Sequence, residues 1–219
     1  MITGKQKSLE EIQKLIAPYS KVLILGCGTC VTVCFAGGEK EVSLLASTLR
    51  LAQRDSDSKK EFIEYTVKRQ CDWEFLDEVA DKIKEADATL SLACGVGVQA
   101  IAERFPEAIV LPGLDTTFMG LTQEPGIWSE RCLGCGDCIL GLTAGICPIT
   151  RCAKSLFNGP CGGSVGGKCE ISPEVPCAWQ MIYERLARLG QLESLEEIQS
   201  PKDWSTSHAG GPRKISRSK

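Results

Sequence analysis

The sequence predicts an α/β fold: a doubly wound parallel sheet followed by a small cysteine-rich metal-binding region and a C-terminal helix. The first observation is that short apolar runs alternate with helical periodicity over residues 1–120, which is the rhythm of βαβ units. The second is that eight of the thirteen cysteines fall within residues 131–178, where glycine is frequent and hydrophobic periodicity is nearly absent. Because such a segment cannot build a conventional core, we expect bound metal to supply its folding free energy.

Four segments are predicted along the chain. They are an α/β (Rossmann-like) domain over 1–120, a cysteine-rich iron–sulfur or metal region over 121–178, a C-terminal helix over 179–200 and a flexible or partner-bound tail over 201–219. Within them, residues 113–130 contain glycine and proline but few periodic apolar residues. We therefore expect those residues to form a linker, or a loop packed between the two cysteine-bearing zones.

The elements of the first domain follow from local signals. A first helix begins after Ser8, which forms a capping-box pattern with Glu11, and it ends before Pro18. Apolar runs typical of buried parallel strands predict strands over residues 21–25, 61–67, 88–93 and 108–111. A second helix is predicted after Gly37-Gly38, with Val42, Leu45 and Leu49 facing inward. A third begins after Asp72, and its inward residues are Phe75, Leu76, Val79 and Ile83. A fourth runs from the glycines after Cys94 through Phe105.

Charge and hydropathy exclude several classes of protein. The net charge is -3 with both signs mixed along the chain, so no electrostatic argument favours nucleic acid as a partner. No apolar run approaches the ~20 residues that cross a bilayer, so no membrane span is expected. The N-terminal residues are charged and lack the apolar core of a signal peptide. The predicted location is cytoplasmic.

The cysteine content predicts metal or redox chemistry. A reducing cytosol keeps thiols free, and an odd count of thirteen does not suit a complete set of internal disulfides. The chain has one histidine, His208, in a polar segment where we expect it to be solvated. Histidine-rich metal sites and histidine-dependent nucleophilic catalysis are thereby nearly excluded. Sulfur-only sites select iron–sulfur clusters or zinc.

Cysteines of the first zone follow the predicted strands. Cys27, Cys30, Cys71 and Cys94 lie just beyond strand carboxyl ends, which gather at one edge of a doubly wound sheet. We therefore expect them to converge on one metal site, with Cys34, four residues after Cys30, as the alternative to Cys71. The other interpretation is that Cys71 or Cys94 is simply a small buried apolar residue.

The second zone contains the strongest metal signal. Cys132, Cys135 and Cys138 form a triplet with two-residue gaps, which lets three thiolates wrap one cluster. Bacterial ferredoxins follow the same triplet with Cys-Pro, supplied here by Cys147-Pro148 after a longer gap. The eight cysteines of this zone are Cys132, Cys135, Cys138, Cys147, Cys152, Cys161, Cys169 and Cys177.

These eight cysteines predict two [4Fe-4S] clusters, and the first zone adds a third if its cysteines converge. One partition gives the triplet and Cys177 to one cluster and the remaining four cysteines to the other; Cys147 and Cys177 exchange roles in the alternative partition. Zinc is the alternative or additional metal at one site, above all for Cys161 and Cys169, which are flanked by glycine pairs.

Several runs together resemble a known family. They are GCGTCVTVCFAGGEKEV (26–42), RCLGCGDCILGLTAGICPITRCAKSLFNGPCGG (131–163) and KCEI (168–171), followed by a W-x-x-I-Y-x-R-L helix. They resemble the small cysteine-rich subunit of bacterial methylenetetrahydrofolate reductase, the methylenetetrahydrofolate reductase C-terminal family, up to about residue 200. The resemblance implies a partner role: a separate flavin-containing barrel subunit reduces methylenetetrahydrofolate. The small subunit relays electrons to that flavin from ferredoxin or a further redox module. Family members are associated with iron–sulfur clusters and zinc.

The sequence, considered without the resemblance, is also compatible with an electron-relay role. The sequence shows no paired carboxylates in a pocket, no nucleophile–base pair and no phosphate-binding loop, so no catalytic residue is predicted and enzyme activity stays open. The alternative function is a zinc-stabilised structural or assembly subunit without a redox role. A face of Trp179, Ile182, Leu186 and Leu189 is expected to pack on the protein's own core rather than on a partner.

Overall fold

The computed structural model describes residues 1–54 and 59–216. The chain divides into two compact units, Met1–Trp128 and Ser129–Lys219, so the division comes later than residue 120, where the sequence placed the end of the α/β domain. No helix in the described parts of the chain is long and apolar enough to cross a membrane.

The first unit is built on two sheets. Its strands are β1 (Ile2–Gln6), β2 (Lys21–Cys27), β3 (Glu61–Val67), β4 (Ala88–Leu92), β5 (Val110–Pro112) and β6 (Leu114–Glu124), and β7 (Ile127–Cys132) follows. β2 to β5 form a four-stranded parallel sheet in the order β3-β2-β4-β5. In its register, Val22 lies between Phe62 and Ala88. The predicted parallel sheet is confirmed.

Helices cover both faces of this sheet. They are α1 (Leu9–Ile16), α2 (Cys30–Val33), α3 (Glu39–Ala52), α4 (Trp73–Asp77), α5 (Ala80–Glu85) and α6 (Gly95–Arg104). Side chains alternate along a strand, so Ile24 of β2 joins a buried cluster with α1 and α3, whereas Leu25 joins a second cluster with α4, α5 and α6. The two clusters on opposite faces make the sheet doubly wound.

Of two helix starts predicted in the first unit, the capping box at Ser8 is confirmed and the side-chain cap at Asp72 is wrong. The capping box is present, with Glu11 N–H donating to Ser8 Oγ at 3.2 Å and Ser8 N–H donating to Glu11 Oε2 at 3.1 Å. The helix expected after Asp72 is two short helices, α4 and α5. Asp72 does not cap α4 with its side chain; the carboxylate pairs with Arg69 at 3.2 Å.

The segment expected to be a linker is mostly β-structure, so that prediction was wrong. β6 pairs antiparallel with the unpredicted β1, and the sheet order is β1-β6-β7. Most β6 side chains are exposed, so no apolar alternation marked the strand. The signal that could have revealed it is Pro125-Gly126 between the strands: Gly126 has φ +89°, as the third position of a type II turn requires.

The second unit has little regular structure. Its elements are α7 (Pro148–Arg151), β8 (Lys168–Cys169), β9 (Ser172–Pro176) and α8 (Ala178–Leu189), with short 3₁₀ turns after α8. α8 ends at Gly190, whose φ of +68° closes the helix.

A small core lies under α8. Trp179, Ile182 and Leu186 are buried there, as the sequence predicted, and the indole N–H of Trp179 donates to the Leu156 carbonyl at 3.0 Å. Leu189 is 52% exposed, so the expected four-residue face is a three-residue one.

The described part of the tail folds back on the loop between Cys132 and Cys138. Thr206 Oγ1 donates to the Cys135 carbonyl at 2.9 Å, and an Arg213 guanidinium N–H donates to the Gly134 carbonyl at 2.9 Å. Lys202 pairs with Asp137 at 3.2 Å. His208 is exposed, as expected.

Candidate metal sites

Three first-zone cysteines lie at the switch point of the parallel sheet. Cys27 is the last residue of β2, Cys94 precedes α6 just after β4, and Cys71 follows β3. β2 and β4 are neighbours whose following helices cover opposite faces, which is where doubly wound folds bind ligands. Burial raises the pKa of the Cys71 thiol, and the nearby Cys27 and Cys94 raise it further. The Cys71 thiol therefore lies close enough to Cys27 and to Cys94 for both to affect its pKa.

The other two first-zone cysteines have different surroundings. Cys30 is the first residue of α2, and its thiol is half-buried. Cys34 is buried against β1, with its Sγ 3.5 Å from the Gly4 amide nitrogen and 3.6 Å from the Gly4 carbonyl oxygen. Burial raises the pKa of the Cys34 thiol. Its contacts are those of a packed structural thiol.

A buried amide positions the segment that carries Cys71. Gln70 is fully buried, and its Nε2 donates to the carbonyls of Leu25 at 2.8 Å and Gly26 at 3.0 Å. Sequence reasoning missed Gln70, because a glutamine after a strand carries no signal of burial. It ties the loop after β3 to the end of β2, which places Cys71 beside Cys27.

A backbone N–H group faces sulfur in the loop that holds the cysteine triplet. The Gly134 N–H lies 3.3 Å from Cys132 Sγ, and the Cys135 thiol donates to the Asp137 carbonyl at 3.5 Å. Gly134 and Gly136 have φ of +66° and +84°, a conformation that glycine adopts without strain. The glycines thus let the loop curl around its own sulfur atoms, as a thiolate-ligated cluster requires.

Cys147 is tied to the same region. It precedes α7, where Thr150 Oγ1 donates to the Arg131 carbonyl at 3.0 Å. Burial lowers the pKa of Arg151, nearby Arg131 lowers it further, and Cys147 acts in the opposite direction. Because Arg131 immediately precedes Cys132, the start of α7 is fastened next to the triplet.

The remaining second-zone cysteines lie on adjacent loops. The Gly163 N–H is 3.4 Å from Cys161 Sγ, and the Cys177 N–H donates to the Gly167 carbonyl at 2.8 Å. Cys169 ends β8, and the half-buried Cys152 packs on the core that contains Cys177.

The Cys177 thiol faces hydrogen-bond donors. Burial raises its pKa, but the Ser164 hydroxyl and the N–H groups of Trp179 and Gln180 at the start of α8 outweigh burial, so the pKa is lowered. Ser164 lies in the loop that also holds Cys161. The Cys177 thiol therefore lies beside the loop that holds Cys161.

The cysteines supply the donor type of a thiolate site, but in the described residues their side chains are not gathered into one. All thirteen cysteines are free thiols, and several lie on glycine-bearing loops whose N–H groups face sulfur. Within residues 1–54 and 59–216, no group of three or more cysteine, histidine, aspartate or glutamate side chains is arranged to hold a metal ion.

Comparison with known families adds a finding for the C-terminal part. A family model described as methylene-tetrahydrofolate reductase C terminal matches residues 111–205. The matched segment contains all eight second-zone cysteines and α8. No curated protein and no solved structure matches the chain.

Proposed function

We propose that this chain is the electron-transfer subunit of a methylenetetrahydrofolate reductase complex. The premise is that residues 111–205 belong to the methylene-tetrahydrofolate reductase C-terminal family. The chain would relay electrons to or from the flavin of a separate catalytic subunit, with ferredoxin or a further redox module as donor. The observation that carries the proposal is that the matched segment holds eight free thiols on glycine-bearing loops.

One site would be held by the triplet with Cys147. A bound [4Fe-4S] cluster supplies one-electron chemistry there. The fastening of α7 to Arg131 supports Cys147 as the fourth ligand, in place of the Cys177 of the first partition derived from sequence. Cys132 and Cys138 are exposed, so this site can exchange electrons with a docked partner. The Gly134 N–H offsets charge on the Cys132 sulfur, which makes the site easier to reduce.

A second site would be held by Cys152, Cys161, Cys169 and Cys177. The contacts of Cys177 with Ser164 and Gly167 support this grouping. Lys154 Nζ lies 3.7 Å from Cys161 Sγ and offsets the negative charge of a thiolate. The grouping serves iron–sulfur or zinc equally, since both take four thiolates.

A third site would use Cys27, Cys71 and Cys94, with Cys30 as the fourth ligand. The rise that Cys27 and Cys94 cause in the pKa of Cys71, together with the position of all three after neighbouring strands, supports this set. The packing of Cys34 against Gly4 favours Cys71 over Cys34 as a ligand.

A zinc-stabilised structural subunit is the second candidate function. The second unit has only a small core under α8, and bound zinc would stabilise such a fold without redox chemistry.

Metal analysis and spectroscopy separate the two functions. The full chain is purified without oxygen together with its flavin-containing partner, and iron, sulfide and zinc are measured. Electron paramagnetic resonance (EPR) is then recorded at low temperature after dithionite reduction. Two or three reducible clusters per chain support the relay, at about four irons each. Zinc alone, with no reducible paramagnet, would overturn the relay in favour of the structural function.

A further inference from the structure

A cavity in the first unit, away from the switch-point thiols, has the features of a small-molecule site. Its volume is about 490 Å³, within the range of ligand pockets. It lies between β1, the turn after α2, the middle of β6 and the start of β7. The described residues that line it include one charged side chain, Lys5, and no carboxylate.

Aromatic rings frame the cavity. Phe35 and Trp128 meet edge to face, with ring centroids 5.6 Å apart and planes at 74°, and Phe118 also lines the space. Phe35 is 62% exposed even though it is a large apolar residue. Its backbone has φ +54°, a conformation that bulky side chains rarely adopt. Hydrogen bonds from Phe35 N–H to Thr32 and from Ala36 N–H to Val31 hold this turn.

Polar atoms of the cavity wall have no partners. Thr3 Oγ1, Gln6 Nε2 and Trp128 Nε1 are buried without a hydrogen bond, and Thr3 is only 7% exposed. Leaving such an atom buried and unpaired destabilises the unbound protein. Two of the three atoms are N–H donors, so the missing partner has to be an acceptor. All three atoms belong to side chains that line the cavity.

We propose that this cavity binds a flat, fused heteroaromatic molecule with carbonyl oxygens along one edge. The aromatic walls accept the flat faces, while Trp128, Gln6 and Thr3 bond the carbonyl edge. The absence of carboxylates among the described lining residues and the presence of Lys5 favour a neutral or anionic ligand. This inference uses none of the proposed metal ligands and does not depend on the relay function.

The test is a titration of the full chain with theophylline, a bicyclic molecule with two carbonyl oxygens. Indole N–H resonances of the four tryptophans are followed by NMR, and Trp128→Phe assigns the Trp128 signal. We expect a saturable downfield shift of the Trp128 signal, with a Kd at or below about 1 mM for a molecule of this size. Indole, which lacks carbonyl oxygens, should not produce that shift.

Two variants test the wall. Phe35→Gly removes the ring and relieves the positive φ, so we expect a stable protein that binds theophylline at least about fivefold more weakly. Thr3→Val deletes an unpaired hydroxyl at constant shape, so affinity should fall about three- to tenfold while the unbound protein loses no stability. The matched control is Thr89→Val: its hydroxyl is also buried and unpaired, but Thr89 does not line the cavity, so affinity should not change.

The absence of a saturable Trp128 shift up to about 5 mM theophylline, in folded protein, would overturn the proposal. So would equal binding of indole and theophylline, which would mark a generic apolar surface. Equal affinities of Thr3→Val and Thr89→Val would show that the unpaired Thr3 hydroxyl plays no part in binding, and would reject the carbonyl-edge geometry.

Discussion

The Ser91 hydroxyl donates a 2.6 Å hydrogen bond to Gln70 Oε1, and both side chains are completely buried. Ser91 is in β4, whereas Gln70 also donates to the Leu25 and Gly26 carbonyls near the end of β2. One glutamine thus joins β2, the loop after β3 and β4 at the sheet edge where Cys27, Cys71 and Cys94 lie. A satisfied buried network of this kind fixes a single arrangement of the loop.

Ser91→Ala should lower the free energy of unfolding by about 1–3 kcal/mol, because Gln70 Oε1 would be left buried without a donor. Urea unfolding of the metal-free protein measures the change. Ser43→Ala, at an exposed position of α3, is the control and should be neutral or slightly stabilising. Equal stability of the two variants would mean that the buried bond contributes nothing.

Gly37→Ala should destabilise the first unit by at least about 3 kcal/mol. A Cβ at Gly37 would lie 1.8 Å from the carbonyl oxygen of Leu92, which belongs to a central strand and cannot move aside. Gly95→Ala is the matched control, since its nearest neighbour would be Thr116 Oγ1 at 3.6 Å. Thermal unfolding compares the two, and a Gly37→Ala protein as stable as Gly95→Ala would contradict this packing.

Ile182→Ala should cost the second unit about 2–5 kcal/mol, because Ile182 is fully buried in a small core. Tyr183→Ala, at the adjacent and 50% exposed position, should have a much smaller effect. Hydrogen exchange followed by mass spectrometry locates the change: amides of α8 should lose protection while those of β2 and β4 keep it. Equal loss in both variants would place the core elsewhere.

The capping box predicts an acid-dependent contribution to stability. The Ser8 hydroxyl and backbone N–H lower the pKa of Glu11. A carboxylate whose folded pKa is depressed stabilises the protein above its unfolded pKa, and this contribution is lost as the pH falls through the folded value. Glu11→Ala should therefore destabilise the protein more at pH 7 than at pH 3. Glu10→Ala, in the same turn, is the control, and a pH-independent loss for Glu11→Ala would show that its charge is irrelevant.

The grouping of the cysteines predicts which substitutions share an EPR signal. Cys135→Ser and Cys147→Ser should abolish the same reduced-cluster signal, whereas Cys177→Ser should leave that signal intact. Cys34→Ala is the matched control: the thiol packs on β1, so iron content should not change. Loss of the triplet's signal in Cys177→Ser would restore the partition in which Cys177 is the fourth ligand.

Sequence periodicity found the parallel sheet because its strands are buried on both faces and carry long apolar runs, as in β2. It missed β1 and β6, whose pairing depends on residues more than a hundred positions apart, such as Gln6 and Leu114. The cysteine spacing identified candidate ligands. It could not reveal that Cys34 packs on Gly4 or that Gln70 positions Cys71, because both depend on contacts between distant segments.

The contacts of Thr206 and Arg213 with the triplet loop also have a consequence for biosynthesis. The carbonyls of Cys135 and Gly134 receive their donors from residues 71 and 79 positions later in the chain. While the ribosome has yet to add those residues, the loop lacks its final hydrogen bonds. The triplet loop can therefore complete these hydrogen bonds only after this region has been translated, and a premature stop before residue 206 would yield a product that lacks both contacts.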